Sequence, residues 1–459
     1  MTYRNHPGNR TILWTNHLLT YLLPPIPGLT CGSNYFFDKK YEGEQIRGVN
    51  VAEASVNHPN SVQTDRMGHC SLRNSLSSKH LTSARVSFPK PTFLYRVLSV
   101  FGPNIIASEG DTWKKYRRIN VPAFLDRNNR LVWEESLNTT SDLINMVWKD
   151  KDVMEVEHVA DVTLQISVNV IGGASFGRKM MWQVDTAVTP GHMMAFSEAL
   201  RLACSGWAMG LIPKWAKVRA AFDELEVSIY AEMIRTRRTA EKEERSDLLS
   251  SLLDANDDED LLGGETKLTD QEQLGNIYAF LIAGHETTAR ALAFAFALLA
   301  LYPDQQEILY RHIKTIVPDG RNPVVVYEAL RLFPPVTLIP KISAEDTVLV
   351  STNKAGERKT IPVPQGAILD IDVVGLHYNP RYWKDPEMFD PSRFSGDWPR
   401  EAFVPFSQGA RACMGRKYVP KSLNDRLLTI MHRFSETEGE TFEERKDRIL
   451  QTRAGISLT

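Results

Sequence analysis

The chain has 459 residues, of which 42% are hydrophobic and 24% are charged, and its formal net charge is −2. This composition is that of a globular protein long enough to bury a large core in one or more lobes. A net charge so close to zero argues against nucleic-acid binding, which a strongly basic domain usually carries. The four cysteines are far apart and form no C-x-x-C pair, so neither structural zinc nor a disulfide framework is predicted.

The N-terminal 28 residues combine a short apolar segment with a proline-rich connector. The apolar segment, residues 12–23, is shorter than the ~20 residues of a membrane-spanning helix, and an asparagine and a histidine interrupt it. It also lacks the basic start and clean apolar core of a signal peptide. Three prolines make the connector stiff and exclude helix there. We therefore predict an N-terminal segment over 1–28 and a single domain over 29–459.

The periodicity of apolar residues is uneven between residues 30 and 250. Residues 30–85 are polar, rich in Ser and Asn, and without a clear period, so they predict no element. Residues 131–250 indicate successive amphipathic helices. Between these helices, Gly206–Trp215 is apolar and aromatic and contains a proline.

A short helix is predicted just after residue 110. Asp111 or Thr112 can cap its N-terminus. Trp113 and Arg117 are four residues apart and therefore share one face of this helix. An arginine can bind a carboxylate with two parallel hydrogen bonds, and an indole N–H can donate one.

A long central helix is predicted from residue 269 onwards. Thr269 can cap it, and Glu272 three residues later completes a capping box. Pro303 marks its end. Residues 277–301 are apolar nearly all round, which indicates burial in a large core or in a membrane. A histidine, a glutamate and an arginine in mid-run would be costly in lipid, so we predict a buried core helix.

The middle of this helix, Ala283–Ala289, has the sequence AGHETTA. Gly284 stands close to Thr287 and Thr288, and a threonine hydroxyl competes for a backbone carbonyl, so the helix can open locally here. A purely structural interpretation has back-bonded threonines and a satisfied Glu286. A metalloprotease motif is excluded because no second histidine follows at the required spacing.

A further helix and a set of short strands precede the last motif. Glu328 and Arg331 are three residues apart on one helical face, and Pro334 ends that helix. Residues 336–350 and 360–376 then show partly alternating patterns that predict short strands.

The stretch Phe406–Gly415, FSQGARACMG, has a cysteine as its chemical centre. Gly409 and Gly415 bracket the cysteine and indicate a loop with a sharp bend and a close backbone approach. In an extended loop, Arg411 and Cys413 project to the same side, because they are two residues apart. Residues 416–434 predict a helix, and a cysteine just ahead of a helix is favoured as thiolate. The alternative is a buried structural cysteine in a glycine-rich turn.

The pattern Phe-x-x-Gly-x-Arg-x-Cys-x-Gly resembles the haem-binding loop of the cytochromes P-450 at all five defined positions. The resemblance extends from about residue 24 to the end and is closest to fungal microsomal members. It implies a mainly α fold with a small β-rich lobe, the cytochrome P-450 fold, with 29–459 as the haem-thiolate catalytic domain. It also implies haem b (iron protoporphyrin IX), with Cys413 as the iron ligand. The residues that the resemblance assigns to haem binding are Trp113, Arg117, Ala283, Gly284, Lys341, Phe406, Gly409, Arg411, Cys413 and Gly415.

The resemblance also assigns roles within the site. Trp113, Arg117, Lys341 and Arg411 would anchor the haem propionates. The AGHETTA segment is similar to the family's oxygen-activation segment, in which an acid–alcohol pair relays protons. Glu286 and its neighbouring threonine would be this catalytic pair.

Other residues would support or surround the haem site. Glu328, Arg331 and Arg393 resemble the family's buried charge cluster, whose use is to fix geometry beneath the haem. Residues 336–338 are candidates for the wall of the substrate pocket. A basic helix face that could dock an acidic electron donor or simply be solvated comprises Lys114, Lys115 and Arg118.

The implied function is haem-thiolate monooxygenation, in which one oxygen atom enters an apolar organic substrate and Thr287 and Glu286 deliver protons. Electrons from NADPH would come through a separate P-450 reductase, with cytochrome b5 as a further partner, because no G-x-G-x-x-G segment is visible. A proline hinge is typical of members anchored on the cytosolic face of the endoplasmic reticulum membrane, so we expect the chain there.

Three departures from the family pattern leave alternatives open. The connector between Pro318 and Glu328 is short, Pro420 falls in the predicted helix after the cysteine, and the chain ends at 455–459 before the usual last strands. A helix-interior proline costs ~3 kcal/mol or more. One alternative is therefore a degenerate or truncated haem protein without activity. Another is an oxygen-independent haem-thiolate isomerase or dehydratase, although the intact acid–alcohol pair speaks against it.

Overall fold

The structure is a computed structural model. The described residues are 51–56, 68–72, 75–149, 151, 153–177, 180, 182, 188, 191–206, 215–227, 247–258, 267–316, 324–352, 358–417 and 439–450. Several predicted features lie outside them: the segment 1–28, most of Gly206–Trp215, the start of the connector after Pro318, the helix predicted after Lys417 with Pro420, and the C-terminal residues 451–459.

The described residues form a mainly helical protein with two small sheets, as predicted. The strands are β1 (Val51–Val56), β2 (Gly68–Leu72), β3 (Leu338–Ile342), β4 (Thr347–Thr352), β5 (Arg358–Val363) and β6 (Ile368–Asp372). The helices are α1 (Ser75–Ser83), α2 (Gly110–Asn120), α3 (Asp126–Asp142), α4 (Val159–Phe176), α5 (Phe196–Gly206), α6 (Trp215–Val227), α7 (Leu248–Asp257), α8 (Asp270–Leu301), α9 (Pro303–Ile316), α10 (Val324–Leu332), α11 (Val373–His377) and α12 (Phe442–Ile449). Short 3-10 helices occur at Thr92–Leu98, Val121–Phe124, Pro391–Phe394, Arg400–Ala402, Gly409–Arg411 and Met414–Lys417, and a π-helical turn occurs at Leu143–Val147.

The chain divides into two compact units. The first comprises 1–91, 323–413 and 434–459, and the second comprises 92–322 and 414–433. The strands β1–β6 belong to the first unit, and the helices α2–α9 belong to the second. The prediction of a single catalytic domain over 29–459 stays a prediction.

The first unit is built on a four-stranded sheet in the order β1-β2-β6-β3. Strand β6 pairs in parallel with β2 and antiparallel with β3, and all five of its residues are buried, so it forms the centre of the sheet. Strands β4 and β5 form a separate antiparallel pair. The core of this unit joins strand residues to Leu81 of α1, Leu376 of α11 and Val404, which leads into the cysteine loop.

Strands β1 and β2 and helix α1 lie in the part of the chain for which the sequence predicted no element. The sequence gives no period there because the pairing that defines these elements is not local. Residues His69–Leu72 pair with Ile368–Ile371, about 300 positions later in the chain. Helix α1 has few apolar residues, and its buried Leu81 packs into the core of the first unit.

The second unit is organised by α8, whose predicted boundaries are confirmed. The Thr269 hydroxyl accepts from the Glu272 N–H, and the Glu272 carboxylate accepts from the Thr269 N–H, so the predicted capping box is formed. The helix ends at Leu301, and Pro303 begins α9. Most residues from Ile277 to Leu301 are buried, which confirms the predicted core helix.

Helix α4 packs along α8 within this unit. The close approach occurs at Gly284, where an added Cβ would lie 3.0 Å from Cδ1 of Ile171. By length and composition, α4 is the one helix among the described residues that could cross a membrane. Because 67% of it is buried inside the protein, it also has the character of a core helix.

Helix α2 is present as predicted, but its cap differs. The helix begins at Gly110 with Glu109 in the N-cap position, and no side chain caps it. The Asp111 carboxylate accepts a hydrogen bond from Lys114 at 2.7 Å instead of one from the backbone. The helix is held in the second unit by Tyr116, whose hydroxyl donates to the Glu272 carboxylate of α8 at 2.7 Å.

Candidate active site

The cysteine loop is a compact turn. Residues Gly409–Arg411 form one turn of 3-10 helix, and the Ala412 N–H donates to the Gly409 carbonyl at 3.1 Å. The Cys413 N–H donates to the Phe406 carbonyl at 2.8 Å and closes the loop. Cys413 is exposed and is not in a disulfide. The loop therefore presents a thiol on a backbone that is fixed at both ends.

The expectation of an extended loop was wrong. Because Gly409–Arg411 is helical, Arg411 and Cys413 are not related by the two-residue repeat of a strand. Arg411 is half-buried, whereas Cys413 is exposed. The structural alternative of a buried cysteine is also contradicted, since the thiol is open to solvent.

Two residues of this loop have positive φ angles. Gly409 has φ +70°, and a Cβ at this position would lie 2.9 Å from the Thr82 carbonyl oxygen of α1. The predicted sharp bend and close approach are therefore confirmed at Gly409. Ser407 has φ +57°, a left-handed conformation that is uncommon for a residue with a side chain. Gly415 lies within the 3-10 turn that follows the cysteine.

The same unit contains a buried cluster formed by Glu328, Arg331 and Arg393. Glu328 and Arg331 are fully buried and paired by two hydrogen bonds of 2.6 and 2.7 Å. The Arg331 guanidinium also donates to the carbonyls of His377 and Pro386, both at 2.8 Å. Arg393 Nε lies 3.4 Å from the Glu328 carboxylate. The three predicted partners therefore meet.

The electrostatics of this cluster follow from its burial. Burial raises the pKa of Glu328, and the Arg331 guanidinium and the Asp390 N–H oppose that rise. Such a pair contributes little net stability, because desolvating two charges offsets their attraction. Its effect is to fix the position of the chain segments that the arginine binds, namely those around His377 and Pro386.

In the second unit, the AGHETTA segment continues as regular α-helix. The Thr287 hydroxyl donates to the Ala283 carbonyl at 2.6 Å, which confirms that it competes for a backbone acceptor. Ala283, Gly284 and Thr287 are half-buried, and Thr288 is buried. The helix has a partly accessible face at these small and hydroxyl-bearing residues.

Glu286 is paired within the same helix. Its Oε1 accepts from Nη2 and Nε of Arg290 at 3.0 and 3.2 Å. The Glu286 side chain is 9% exposed and the Arg290 side chain is 46% exposed. Back-bonding by Thr287 and a paired glutamate are the contacts that the structural interpretation predicts. These contacts leave the second carboxylate oxygen of Glu286 and the lone pairs of the Thr287 hydroxyl as further hydrogen-bond acceptors.

His285 is 2% exposed, and burial lowers its pKa to about 4. The positive charge of Arg290 acts in the same direction. The imidazole is therefore neutral at physiological pH and adds no charge beside Glu286.

The other predicted haem-binding residues occupy defined positions in each unit. In the second unit, Trp113 is buried in a cluster with Tyr116 and Ile119, and Met414, the residue after the cysteine, packs against that cluster. Arg117 on the same helix is half-buried. In the first unit, Lys341 lies in β3 and is 4% exposed.

The predicted basic face of α2 is partly neutralised. Lys114 pairs with Asp111 at 2.7 Å, and Lys115 lies 3.3 Å from the Glu272 carboxylate. Arg118 is exposed.

Two residues near these sites carry contacts that sequence reasoning did not assign. Arg290 holds Glu286, and its spacing of four residues from that glutamate is a signal that could have identified it. His377 binds two separate backbone segments. Nothing local in the sequence around residue 377 indicates those partners.

The family model described as Cytochrome P-450 matches residues 75–458 of the chain. The chain belongs to the cytochrome P-450 family. It is 47% identical to cytochrome P-450 monooxygenase 124 of Postia placenta, over 99% of this chain and 92% of that protein. It is 27% identical to cytochrome P-450 4A7 of Oryctolagus cuniculus, over 76% of this chain and 72% of that protein.

The fold agrees with this P-450 assignment. The crystal structure of the cytochrome P-450DA haem domain superposes with a TM-score of 0.70 at 22% identity, covering 94% of this chain and 91% of that one. The chain is thus an enzyme of the P-450 monooxygenase class, which uses a haem cofactor. The residues of the cysteine loop fit a haem, because the exposed Cys413 thiol follows a tight turn. Within that turn, position 409 has a backbone conformation that only glycine adopts without strain.

Proposed function

We propose that this P-450 is a haem-thiolate monooxygenase that inserts one atom of O2 into an apolar organic substrate, while the second atom leaves as water. The observation that carries the proposal is the exposed Cys413 thiol on its closed loop, in a sequence that matches the family pattern at every defined position. Two electrons from NADPH and two protons balance the reaction.

Cys413 would hold the iron of haem b as thiolate. Four side chains would bind the propionates: Trp113, Arg117, Lys341 and Arg411. Phe406, Gly409 and Gly415 would shape the loop, and the small, half-buried residues Ala283 and Gly284 of α8 would contact the haem. When bound, the haem supplies O2 binding and cleavage, with the thiolate pushing electron density toward O–O cleavage.

Glu286 and Thr287 would supply the protons. The Thr287 hydroxyl donates to the Ala283 carbonyl at 2.6 Å, so it must rotate about its Cβ–Oγ bond before it can donate elsewhere. Its lone pairs can then accept a hydrogen bond from a water or from the Glu286 carboxyl group. Because Arg290 is 46% exposed, this side chain can move into solvent and release the Glu286 carboxyl group.

We further propose the partners and location of the enzyme. A separate NADPH-dependent reductase, with cytochrome b5 as a second donor, would supply electrons at the cytosolic face of the endoplasmic reticulum membrane. The similarity to mammalian P-450 4A relatives supports the membrane location. With Lys114 and Lys115 engaged in ion pairs, an acidic donor would need to compete with Asp111 and Glu272 for these lysines.

The decisive experiment is the spectrum of the reduced, carbon-monoxide-bound protein. The wild-type chain is expected to show the thiolate-shifted Soret band, and Cys413→Ser is expected to lose it. Cys204→Ser, at a cysteine of α5, is the matched control and should keep the band. If wild type takes up no haem, or if Cys413→Ser keeps the shifted band, the proposal is overturned.

NADPH consumption with an added reductase separates the remaining reactions. A monooxygenase consumes NADPH and O2 in equal amounts and yields a hydroxylated or epoxidised product. An oxygen-independent isomerase or dehydratase converts its substrate without consuming either.

A further inference from the structure

His377, the last residue of α11, is fully buried and binds backbone on two sides. Its Nδ1 lies 3.0 Å from the Arg331 carbonyl oxygen at the end of α10. Its Nε2 lies 3.0 Å from the Val404 backbone nitrogen. The ring also stacks on Phe403, with 5.4 Å between centroids and an angle of 21°.

These partners determine the tautomer. A backbone N–H can only donate, so Nε2 must carry a lone pair toward Val404, and the ring proton must be on Nδ1, which donates to Arg331. A second ring proton would oppose the Val404 N–H. Burial and the neighbouring Arg331 charge lower the pKa of His377 to about 3, so the ring stays neutral.

Val404 is where this contact reaches the cysteine loop. Its carbonyl accepts from the Ser407 N–H at 3.0 Å, which holds Ser407 in its left-handed conformation. The Phe406 carbonyl, which belongs to the same peptide group as the Ser407 N–H, accepts from the Cys413 N–H at 2.8 Å. A single series of hydrogen bonds therefore runs from His377 through Val404 to the backbone of the cysteine.

The other end of the series is the buried charge cluster. Arg331 donates from its guanidinium to the His377 carbonyl and accepts the His377 ring proton at its own carbonyl. His377 thus makes two hydrogen bonds with Arg331, the partner of Glu328, and one with Val404, which leads to the cysteine loop.

We propose that His377, as the neutral Nδ1–H tautomer, is a positioning residue that fixes the start of the cysteine loop and thereby the place of the Cys413 sulfur. The proposal rests on the proposed role of Cys413 as iron ligand. Nε2 is the atom that matters for the loop, while Nδ1 orients the ring.

Two substitutions separate the nitrogens. In His377→Gln, the side-chain oxygen can reach the position of Nε2 and accept from Val404. In His377→Asn, the shorter amide can replace Nδ1 and donate to Arg331, but it leaves the Val404 N–H unbonded. An unsatisfied buried N–H typically shifts an equilibrium by about tenfold or more.

The readout is the ratio of thiolate-shifted to thiol-type Soret bands in the reduced, carbon-monoxide-bound holoenzyme. We expect His377→Gln to stay near the wild-type ratio and His377→Asn to move about tenfold toward the thiol-type band. Both variants lose one ring contact, so a general loss of stability would shift both alike. Equal ratios in the two variants, or a wild-type ratio in His377→Asn, would overturn the proposal.

A second measurement uses the wild-type holoenzyme and does not depend on either variant folding. Hydrogen exchange should show the Val404 amide to be protected for as long as the Cys413 amide, since both belong to one series of bonds. Exchange of Val404 within minutes, with Cys413 still protected, would show that His377 does not hold the loop. A wild-type protein without the thiolate-shifted band would instead contradict the proposed function itself.

Discussion

Two glutamate–arginine pairs, each within a single helix, differ in burial and therefore in what they can do. Glu328 and Arg331 of α10 are both 0% exposed, and the arginine also binds backbone carbonyls. Glu286 and Arg290 of α8 are 9% and 46% exposed, and only one carboxylate oxygen is engaged. The first pair is fixed by its surroundings, whereas the second can open to water.

The difference lies in desolvation. A buried charge whose partner is removed cannot recover its hydration, so removing either partner of the first pair strongly destabilises the fold. A pair with one partner half in solvent is screened and contributes a few tenths of a kcal/mol. The same two residue types at nearly the same spacing thus give a rigid support in one place and an adjustable contact in the other.

The largest expected effect is at Glu328. Glu328→Gln leaves Arg331 as a buried charge without its counter-ion, which typically costs about 3–5 kcal/mol. Urea unfolding of the holoenzyme measures this loss. The matched control is Glu307→Gln in the exposed Glu307–Arg311 pair of α9, where we expect less than about 0.5 kcal/mol. A loss below about 1 kcal/mol at Glu328 would mean that burial does not distinguish the pairs.

Acid sensitivity tests the second region, because His285 lies beside Glu286. The pKa of His285 falls from 6.5 to about 4 on folding, so the unfolded chain binds the proton more readily. The histidine's contribution to stability is therefore complete above pH 6.5 and is lost as the pH falls from 6.5 toward 4.

Substitution of His285 by leucine should remove this dependence. Between pH 7 and pH 5, wild type should lose roughly 2 kcal/mol more unfolding free energy than His285→Leu, as urea unfolding at both values measures. The exposed His158 is the control, and His158→Leu should keep the wild-type acid sensitivity. An unchanged acid sensitivity in His285→Leu would show that its ring is protonated in the folded protein.

The cysteine loop offers a smaller test of rigidity in the first region. Gly409 and Gly366 both have positive φ, +70° and +81°, but an added Cβ meets the Thr82 carbonyl at 2.9 Å only at Gly409. Alanine should cost about 1 kcal/mol at each position for the backbone conformation, and about 1 kcal/mol more at Gly409 for the contact. Thermal unfolding of both variants checks the difference. Equal losses would show that α1 yields to the added methyl group.

Local signals in the sequence were enough to predict part of this molecule. The start and end of α8 follow from Thr269, Glu272 and Pro303, which all act within one turn of the helix ends. The sharp bend at Gly409, where φ is +70°, follows from a motif of ten residues. Such features depend on neighbours in the chain, so they can be read from it.

The remaining features depend on contacts between distant segments. Strand β2 is defined by its parallel pairing with β6, and Arg331 binds the carbonyls of His377, at the end of α11, and of Pro386, about 50 residues later in the chain. Burial of Lys341 likewise results from sheet pairing rather than from the sequence around it.

The smallest expected change in stability is at Glu286, and it comes with a large change in turnover. Glu286→Gln keeps the shape of the side chain, and losing an ion pair with half-exposed Arg290 should cost less than about 0.5 kcal/mol. The amide cannot pass on a proton, however, and a positioned acid typically contributes 10²–10⁴-fold in rate (about two to four orders of magnitude). We therefore expect product formed per NADPH consumed to fall at least about tenfold, with the thiolate-shifted band unchanged.

The control is Arg290→Met, which also breaks the pair but keeps the carboxylate, and it should retain most of the product yield. If the two variants lose product equally, turnover depends on the intact Glu286–Arg290 ion pair and not on the Glu286 acid. Both ion pairs would then act as structural contacts, and the contrast with Glu328 and Arg331 would be lost.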